Sequence, residues 1–509
     1  MKNIFSLFSF KRKSPSSSPN TSPTTSPTLS PITSPVLSGH KSTSIYSFQL
    51  DTDTPSLSDV LGGGSSTTMF GAPLSLDGAV DWFTPSSGAK DASSSTNTST
   101  FHHFQQLGEE VKIHIFSFLS FRDILSLSVC SRDMYRYSHD RILWQTIFER
   151  SGWPLSREIK LNKNFNLMRY YYDKANISSN DTICWSSITN SHGRIPTKRY
   201  KHTAIPYKNY IVLIGGQETN AKRFGEIIYY NTKTNTFETH TVKGDQIPNF
   251  SRHTSRVIDK KVYLFGGYNG AGTYYNLAIY NLEKRRWSNV PMSAMTGDIP
   301  PPRSNLTSAV VGTDFYIFSG NNTADNGQYT ILDDFYRLDT NTLHWTRIEA
   351  SGDVPTGRGG HCMEVIDNKI YLFGGGAWNP SGGWASRFND IHVYNPVTNH
   401  WTHPQLNGVS PATSTFPASF VYGRFLVLFG GGCHRTNRVT NHLYALDTDS
   451  MSWIKLSIPS SVDELRPRDM STSTVINNQV YIYGGFSGGA IDYFDKLTFN
   501  FTPATAQSC

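Results

Sequence analysis

Only five cysteines stand in 509 residues, at Cys130, Cys184, Cys362, Cys433 and Cys509, and no two share Cys-x-x-Cys spacing. The odd count and wide spacing argue against a disulfide framework or a zinc site and point to a reducing compartment, cytoplasmic and/or nuclear. Long hydrophobic runs are missing: nothing approaches the roughly 20 apolar residues that span a bilayer. The opening MKNIFSLFSFKRK is briefly apolar but has no small-residue cleavage site, so neither a membrane nor a secretory route is expected. Charge is scarce at 17% of residues, with a net +7, and the one tight basic cluster is Lys11-Arg12-Lys13. Without a basic stripe, nucleic acid is not an expected partner. No nucleophile elbow, phosphate-binding loop or dinucleotide fingerprint occurs in a strand–turn–helix setting. The His102-His103 pair reads as a solvated turn, and no Glu/Asp/His group has ligand spacing. Catalytic residues, metal and cofactor are therefore all expected to be none.

Aromatics (13%) and 40 glycines are plentiful, a balance that suits an all-β repeat protein with many turns. Residues 1–100 are dominated by Ser, Thr, Pro and Gly, which cannot bury enough apolar surface to offset chain entropy. A disordered tail is expected there. Within it Ser-Pro recurs every four residues from Ser14 to Ser34. This is either a drifting low-complexity repeat or a target for a proline-directed kinase.

Residues 101–150 change character. Leu107, Val111, Ile115, Phe118 and Leu119 fall at helical spacing. Ser120 to Asp123 reads as a capping box opening a second helix, with Ile124, Leu125, Leu127 and Val129. A third is expected from Asp140, carrying Leu143, Trp144, Ile147 and Phe148. Three such helices make a small core with a surplus of large apolar side chains, which a partner surface would cover. Residues 151–182 read as a partly helical connector.

From 183 to 509 the chain repeats. VLIGG (212–216), YLFGG (263–267), YIFSG (316–320), YLFGG (371–375), VLFGG (427–431) and YIYGG (481–485) recur at intervals of 51 to 56 residues. A second strand follows each of the first five and closes on Phe237, Trp287, Trp345, Trp401 or Trp453. A Pro…Arg…His element precedes most, as in Pro196/Arg199/His202 and Pro355/Arg358/His361. Such a period with diglycines means a β-propeller: each sheet has two apolar faces, and stacking in a ring buries them all. Six blades are expected. Trp185 sits where it can supply the strand that completes the last blade, although IDYFDKLTFNFTP can instead finish that blade by itself.

LGEEVKIHIFSFLSFRDILSLSVCSRDMYRYSHDRILWQTIFER resembles the F-box over its whole length, with Gly108 where the family usually has proline. The repeats resemble a kelch propeller over about 320 residues, and F-box followed by kelch is the order of F-box/kelch substrate receptors. The resemblance implies a non-catalytic substrate-recognition subunit of a Skp-cullin-F-box ubiquitin ligase. Its F-box would bind the Skp adaptor, and through it a cullin, by Leu107, Val111, Ile115, Leu119, Ile124, Leu127, Val129, Leu143 and Trp144, each of which can equally be core. Family geometry implies that Arg199, Arg252, Arg303, Arg358 and Arg468 approach the propeller mouth and hold an unknown target, an acidic or phosphorylated peptide, unless they brace loops. Loop residues after the diglycines, Tyr268, Asn269, Trp378, Trp384, His434, Arg435 and Arg438, are candidate anchors for the same surface, unless they are ordinary loop composition. The other class of function is a kelch scaffold or cytoskeleton-binding protein without a ligase role.

Overall fold

Short runs of alternating apolar residues, cut by Asn-, Gly- and Lys-containing turns, fold into six sheets of four or five strands arranged as blades. The computed structural model describes residue 104 and residues 106–178, 183–273, 277–323, 329–379, 384–433, 435–457 and 465–499. The Ser-Pro run, His102-His103, His434 and the expected disordered tail lie outside the described residues.

The innermost strands of the six blades are Thr203–Tyr207, Thr254–Ile258, Thr307–Val311, Cys362–Ile366, Ala418–Tyr422 and Thr472–Ile476. The ring closes where Ile183–Ser187 pairs antiparallel with Phe494–Phe499, setting Trp185 opposite Leu497. The first strand of the propeller thus completes the last blade, as the position of Trp185 suggested.

Each gap between blades holds one large aromatic. Trp287 fills the gap between the first and second blades, Trp345 the next and Trp401 the third. Trp453 fills the fourth, Trp185 the fifth and Phe237 the last. Burying a large aromatic with its apolar neighbours in each gap makes the ring cohere, because no blade can hide its faces alone.

Five blades carry an outer two-residue strand that the repeat reading overlooked. His192–Gly193, Lys243–Gly244, Thr296–Gly297, Ser351–Gly352 and Asn407–Gly408 pair parallel with the strand holding the gap aromatic. Each glycine has φ between +78° and +90°. A Cβ there would lie 2.0–2.3 Å from the carbonyl oxygen of the paired Trp or Phe, so only glycine fits.

Ahead of the ring the described residues form six helices: α1 (Glu109–Phe116), α2 (Phe121–Ser128), α3 (Arg132–Ser138), α4 (Arg141–Arg150), α5 (Arg157–Leu161) and α6 (Leu167–Ser178). The capping box forms as read: Ser120 accepts from the Asp123 N–H while the Asp123 carboxylate accepts from the Ser120 N–H. Asp140 caps α4. Residues 109–150 hold four helices where three were expected. The extra one, α3, is started by Ser131, whose side chain accepts from the Met134 N–H. The apolar core of these helices is continuous with the gap between the fifth and sixth blades, so module and propeller share one cluster.

Candidate functional site

Each innermost strand runs from the Pro…Arg…His element to a tight hairpin turn, and the next strand returns to the diglycine. The hairpin turns therefore gather on one face of the ring and the diglycines on the other.

The helical module sits on the hairpin-turn face of the fifth blade. Lys174 Nζ on α6 lies 2.6 Å from Asp447 Oδ2, and the Tyr170 hydroxyl donates to Asp447 Oδ1 at 3.0 Å. Burial pushes the Asp447 carboxyl up, but the Lys174 charge, with hydrogen bonds from Lys174, the Asp449 N–H and Tyr170, holds it below its ordinary value. Asn176 donates to the Tyr422 hydroxyl at 3.0 Å, and the Arg424 guanidinium stacks 5.1 Å from the Phe165 ring. Gly423 makes room for Asp173, whose Oδ2 would stand 2.2 Å from a Cβ there. Among the described residues, the helices leave the diglycine face uncovered.

Although its core is shared with the propeller, the module keeps large apolar side chains exposed. Val111, Phe118, Val129 and Ile142 are 47%, 62%, 64% and 60% exposed, and Leu107 and Tyr135 are exposed beside them. Three of the nine residues nominated for adaptor contact, Leu107, Val111 and Val129, lie on this surface. Ile115, Leu119 and Leu127 are half-buried. Ile124, Leu143 and Trp144 are corrected to core: all three are buried, and the Trp144 indole N–H donates inward to the Ser138 carbonyl at 2.8 Å. Periodicity identified apolar positions, Phe118 among them, but not the buried arc, so exposed Phe118, Tyr135 and Ile142 were not nominated.

The arginines need a second correction. Arg199, Arg303, Arg358 and Arg468 are at most 1% exposed. Arg303 and Arg358 each clamp a carboxylate with two nitrogens, at 2.5 and 2.9 Å to Asp334 and at 2.7 and 3.2 Å to Asp390. Arg199 reaches Glu226, and Arg468 reaches Asp495. Arg199, Arg303 and Arg358 also donate to the carbonyl of the first diglycine position, at 3.0, 3.1 and 3.0 Å. They tie the diglycine corner to the third strand, so none of the four reaches a target. The repeat's histidines are likewise internal: His253 meets Thr203 Oγ1 at 2.9 Å and His202 meets Thr472 Oγ1 at 2.8 Å, each bridging two blades. Burial lowers the His253 and His361 imidazoles to about 3.

Arg252 does not share the register of the other four. It occupies the place of Lys201, one residue before the repeat histidine, while Phe250 stands where the buried arginine would be. Lys201, Arg252, Asn305, Gly360, Phe416 and Met470 are equivalent, one per blade, and all six have φ between +51° and +69°. Each N–H donates to the carbonyl of its counterpart in the preceding blade, at 2.6–3.2 Å, until Lys201 closes onto Met470. This hydrogen-bonded collar offsets the strain of five left-handed non-glycine residues.

The collar is chemically lopsided. Lys201 and Arg252 are basic neighbours, and Arg223 and Arg252 both stack on Tyr268, 4.7 and 5.3 Å from its centroid. Burial, then the charge of Arg252, lowers the Lys201 ammonium well below its ordinary value. Opposite, Phe416 lies over Gly360, where a Cβ would stand 2.7 Å from its ring. The fourth blade's long hairpin, Lys369–Trp378 with Trp384–Asn395, brings Trp384 to 6.4 Å from Phe416. Trp378 packs on Trp384 at 5.4 Å, and Arg435, in a loop of the fifth blade, is exposed. No group of three or more His, Cys, Asp or Glu able to hold a metal occurs among the described residues.

A family model described as the KLHDC2/KLHL20/DRC7 Kelch-repeats domain matches residues 171–375 and 281–485, and an F-box-like model matches residues 104–150. The chain is similar to host cell factor 1 of Homo sapiens, 27% identical over 334 residues, which are 60% of this chain and 16% of that protein. It is also similar to Kelch domain-containing protein 3 of Mus musculus, 27% identical over 273 residues, 50% of this chain and 69% of that one. The chain thus spans only about a sixth of the host cell factor 1 length.

Proposed function

Because this chain belongs to the kelch-repeat family and carries an F-box-like segment, we propose that it is the substrate receptor of a Skp-cullin-F-box ubiquitin ligase. The observation that carries the reading is the set of exposed apolar side chains, Val111, Val129 and Ile142 among them, on a helical module whose core is continuous with that of the propeller. Isolated surface hydrophobes are ordinary, but several on one small module fit a partner interface. The module takes the adaptor, and through it the cullin, while the diglycine face takes the target.

Ubiquitin transfer would then belong to other subunits, this chain contributing proximity by raising the effective concentration of target near the charged carrier. The shared apolar cluster keeps that distance constant. The reading places the chain in cytosol or nucleus.

The test is co-purification of adaptor and cullin with the full chain. Val111→Asp and Ile142→Asp should abolish capture while leaving the melting temperature nearly unchanged, because both side chains already face water. Trp144→Ala would not discriminate, since it empties the core. If the wild-type chain captures no adaptor, or if both variants capture it as well as wild type, the receptor reading is wrong. A protein partner held without adaptor would instead favour the scaffold role.

A further inference from the structure

The hairpin-turn face, which seats the helical module on the fifth blade, gathers positive charge on the first and second. In the second blade the turn between the third and fourth strands reads Glu283-Lys284-Arg285-Arg286, a basic triplet that the charge reading passed over. The Leu282 N–H donates to the Lys260 carbonyl at 2.9 Å, which sets this turn beside the inner one, with Asp259, Lys260 and Lys261. From the outer two-residue strand the Lys243 N–H donates to the Arg285 carbonyl at 2.9 Å. Lys208 stands in the inner turn of the first blade. A hydrogen bond from Lys260, 2.7 Å away, and then the charges of Lys260, Lys208 and Lys284 hold the Glu283 carboxyl below its ordinary value, so these turns share one field. Seven exposed cations thus meet two carboxylates, and among the described residues Lys260 alone of the seven is held in an ion pair.

The turns do not need these cations in order to fold. Lys208 has φ +55°, a left-handed position that Asp259, Gly312, Asp367, Gly423 and Asn477 fill in the other blades. Arg285 has φ +50° where Asn235 and Asn399 stand. Gly, Asn and Asp take that conformation at the lowest cost, so a lysine or arginine there adds strain and charge with no structural gain.

The same chain holds a segment whose charge can be reversed. Residues 1–50 contain five Lys or Arg and no Asp or Glu, so before modification this segment is repelled by the basic turns. Within it Ser14, Ser18, Ser22, Ser26, Ser30 and Ser34 each precede proline. Phosphorylating all six adds roughly nine to twelve negative charges near neutral pH, which inverts the sign of the segment. About 70 residues separate Ser34 from Phe104, a covalent reach of up to ~230 Å, so attachment to the module does not prevent contact with the second blade, three blades away.

We propose that the basic turns of the first and second blades are the docking site of this chain's own Ser-Pro segment, residues 14–35, once a proline-directed kinase has phosphorylated it. Each step transfers the terminal phosphoryl group of ATP to a serine Oγ; the bridging oxygen leaves on ADP and the hydroxyl proton is released. Because the segment is tethered, phosphate contacts to Lys and Arg that are weak singly act at high effective concentration. Docking concerns this chain alone and holds whether or not the chain serves a ligase.

The experiment uses the full chain with all six serines replaced by alanine, so that its own segment cannot compete, and a labelled peptide of residues 14–35 carrying six phosphoserines. Fluorescence anisotropy should show binding that weakens as salt rises, and none for the unphosphorylated peptide. Lys284→Glu/Arg286→Glu should weaken binding by about ten-fold or more at an unchanged melting temperature, since both side chains are exposed. Lys455→Glu, exposed on the fifth blade, should bind as the parent does. In the wild-type chain, kinase and ATP should place phosphate on these serines and close the site to added peptide. Serines left unmodified by the kinase, equal binding by the charge-reversed chain, an equal loss with Lys455→Glu, or a phosphorylated chain that still binds the peptide in full would each overturn the proposal. Displacement of the phosphopeptide by a lower concentration of duplex DNA would overturn it too, by assigning the turns to nucleic acid.

Discussion

Replacing Asp447 with Ala should loosen the joint between the helical module and the propeller. Its carboxylate accepts from Lys174 at 2.6 Å, from Tyr170 at 3.0 Å and from the Asp449 N–H at 3.0 Å, and its side chain is 1% exposed against 9% for Lys174. The substitution leaves an ammonium with no counter-charge in that contact and a phenol with no acceptor there. Removing one partner of a buried ion pair costs about 3–5 kcal/mol, because the surviving charge stays desolvated. Removing both costs far less, so Lys174→Met in the same background should recover at least half of the loss. Because the Asp447 carboxyl is held below its ordinary value, its contribution is complete above the unfolded carboxylate range and disappears as pH falls through the folded value. Urea denaturation followed by far-UV circular dichroism, with limited proteolysis between residues 104 and 182, measures this. The single variant should expose the module to protease at lower urea than the double. A single variant within ~1 kcal/mol of wild type, or a double variant no more stable than the single, refutes the account of this joint.

Two further outcomes follow from the propeller. Burial raises the Asp390 carboxyl, but hydrogen bonds from His392 and Arg358 and the Arg358 charge bring it down from 3.8 to about 2. That depression stabilises the fold by roughly 2 kcal/mol above pH 4 and is lost as pH falls towards 2, so Asp390→Asn should flatten the acid-unfolding profile in that window. Identical profiles for wild type and variant would contradict the brace. Gly352→Ala sets a Cβ 2.1 Å from the Trp401 carbonyl oxygen at φ +84° and should lower unfolding stability by at least ~2 kcal/mol in a denaturant titration; a neutral result would mean the two-residue strand is dispensable.

Much of this architecture was legible because it is written locally. The diglycine corners, the gap aromatics and the period all lie within one repeat, so each is visible before any tertiary contact forms. Even Ser319, the one non-glycine at a first diglycine position, keeps the left-handed turn at φ +57° and donates its hydroxyl to the Arg358 carbonyl at 2.8 Å. The two-residue strands were also readable, as an x-Gly repeated ahead of every Pro element but the last, Pro467, though the diglycine is the stronger signal. The extra helix was missed because its apolar residues, Met134 and Tyr137, are too few to register as a period.

What the chain determined by itself was a helical hook followed by a six-bladed ring, because capping residues, apolar alternation and turn glycines act over a few neighbours. The role of each basic residue was decided only in three dimensions. Arg252 and Arg199 look alike in sequence, yet a shift of two positions in the repeat puts one in the collar and seals the other against Glu226. The exposed arc of the module was decided there too, since it is whatever the fifth blade, more than 200 residues away, leaves uncovered. Burial depends on which distant surfaces meet, and no local pattern encodes that.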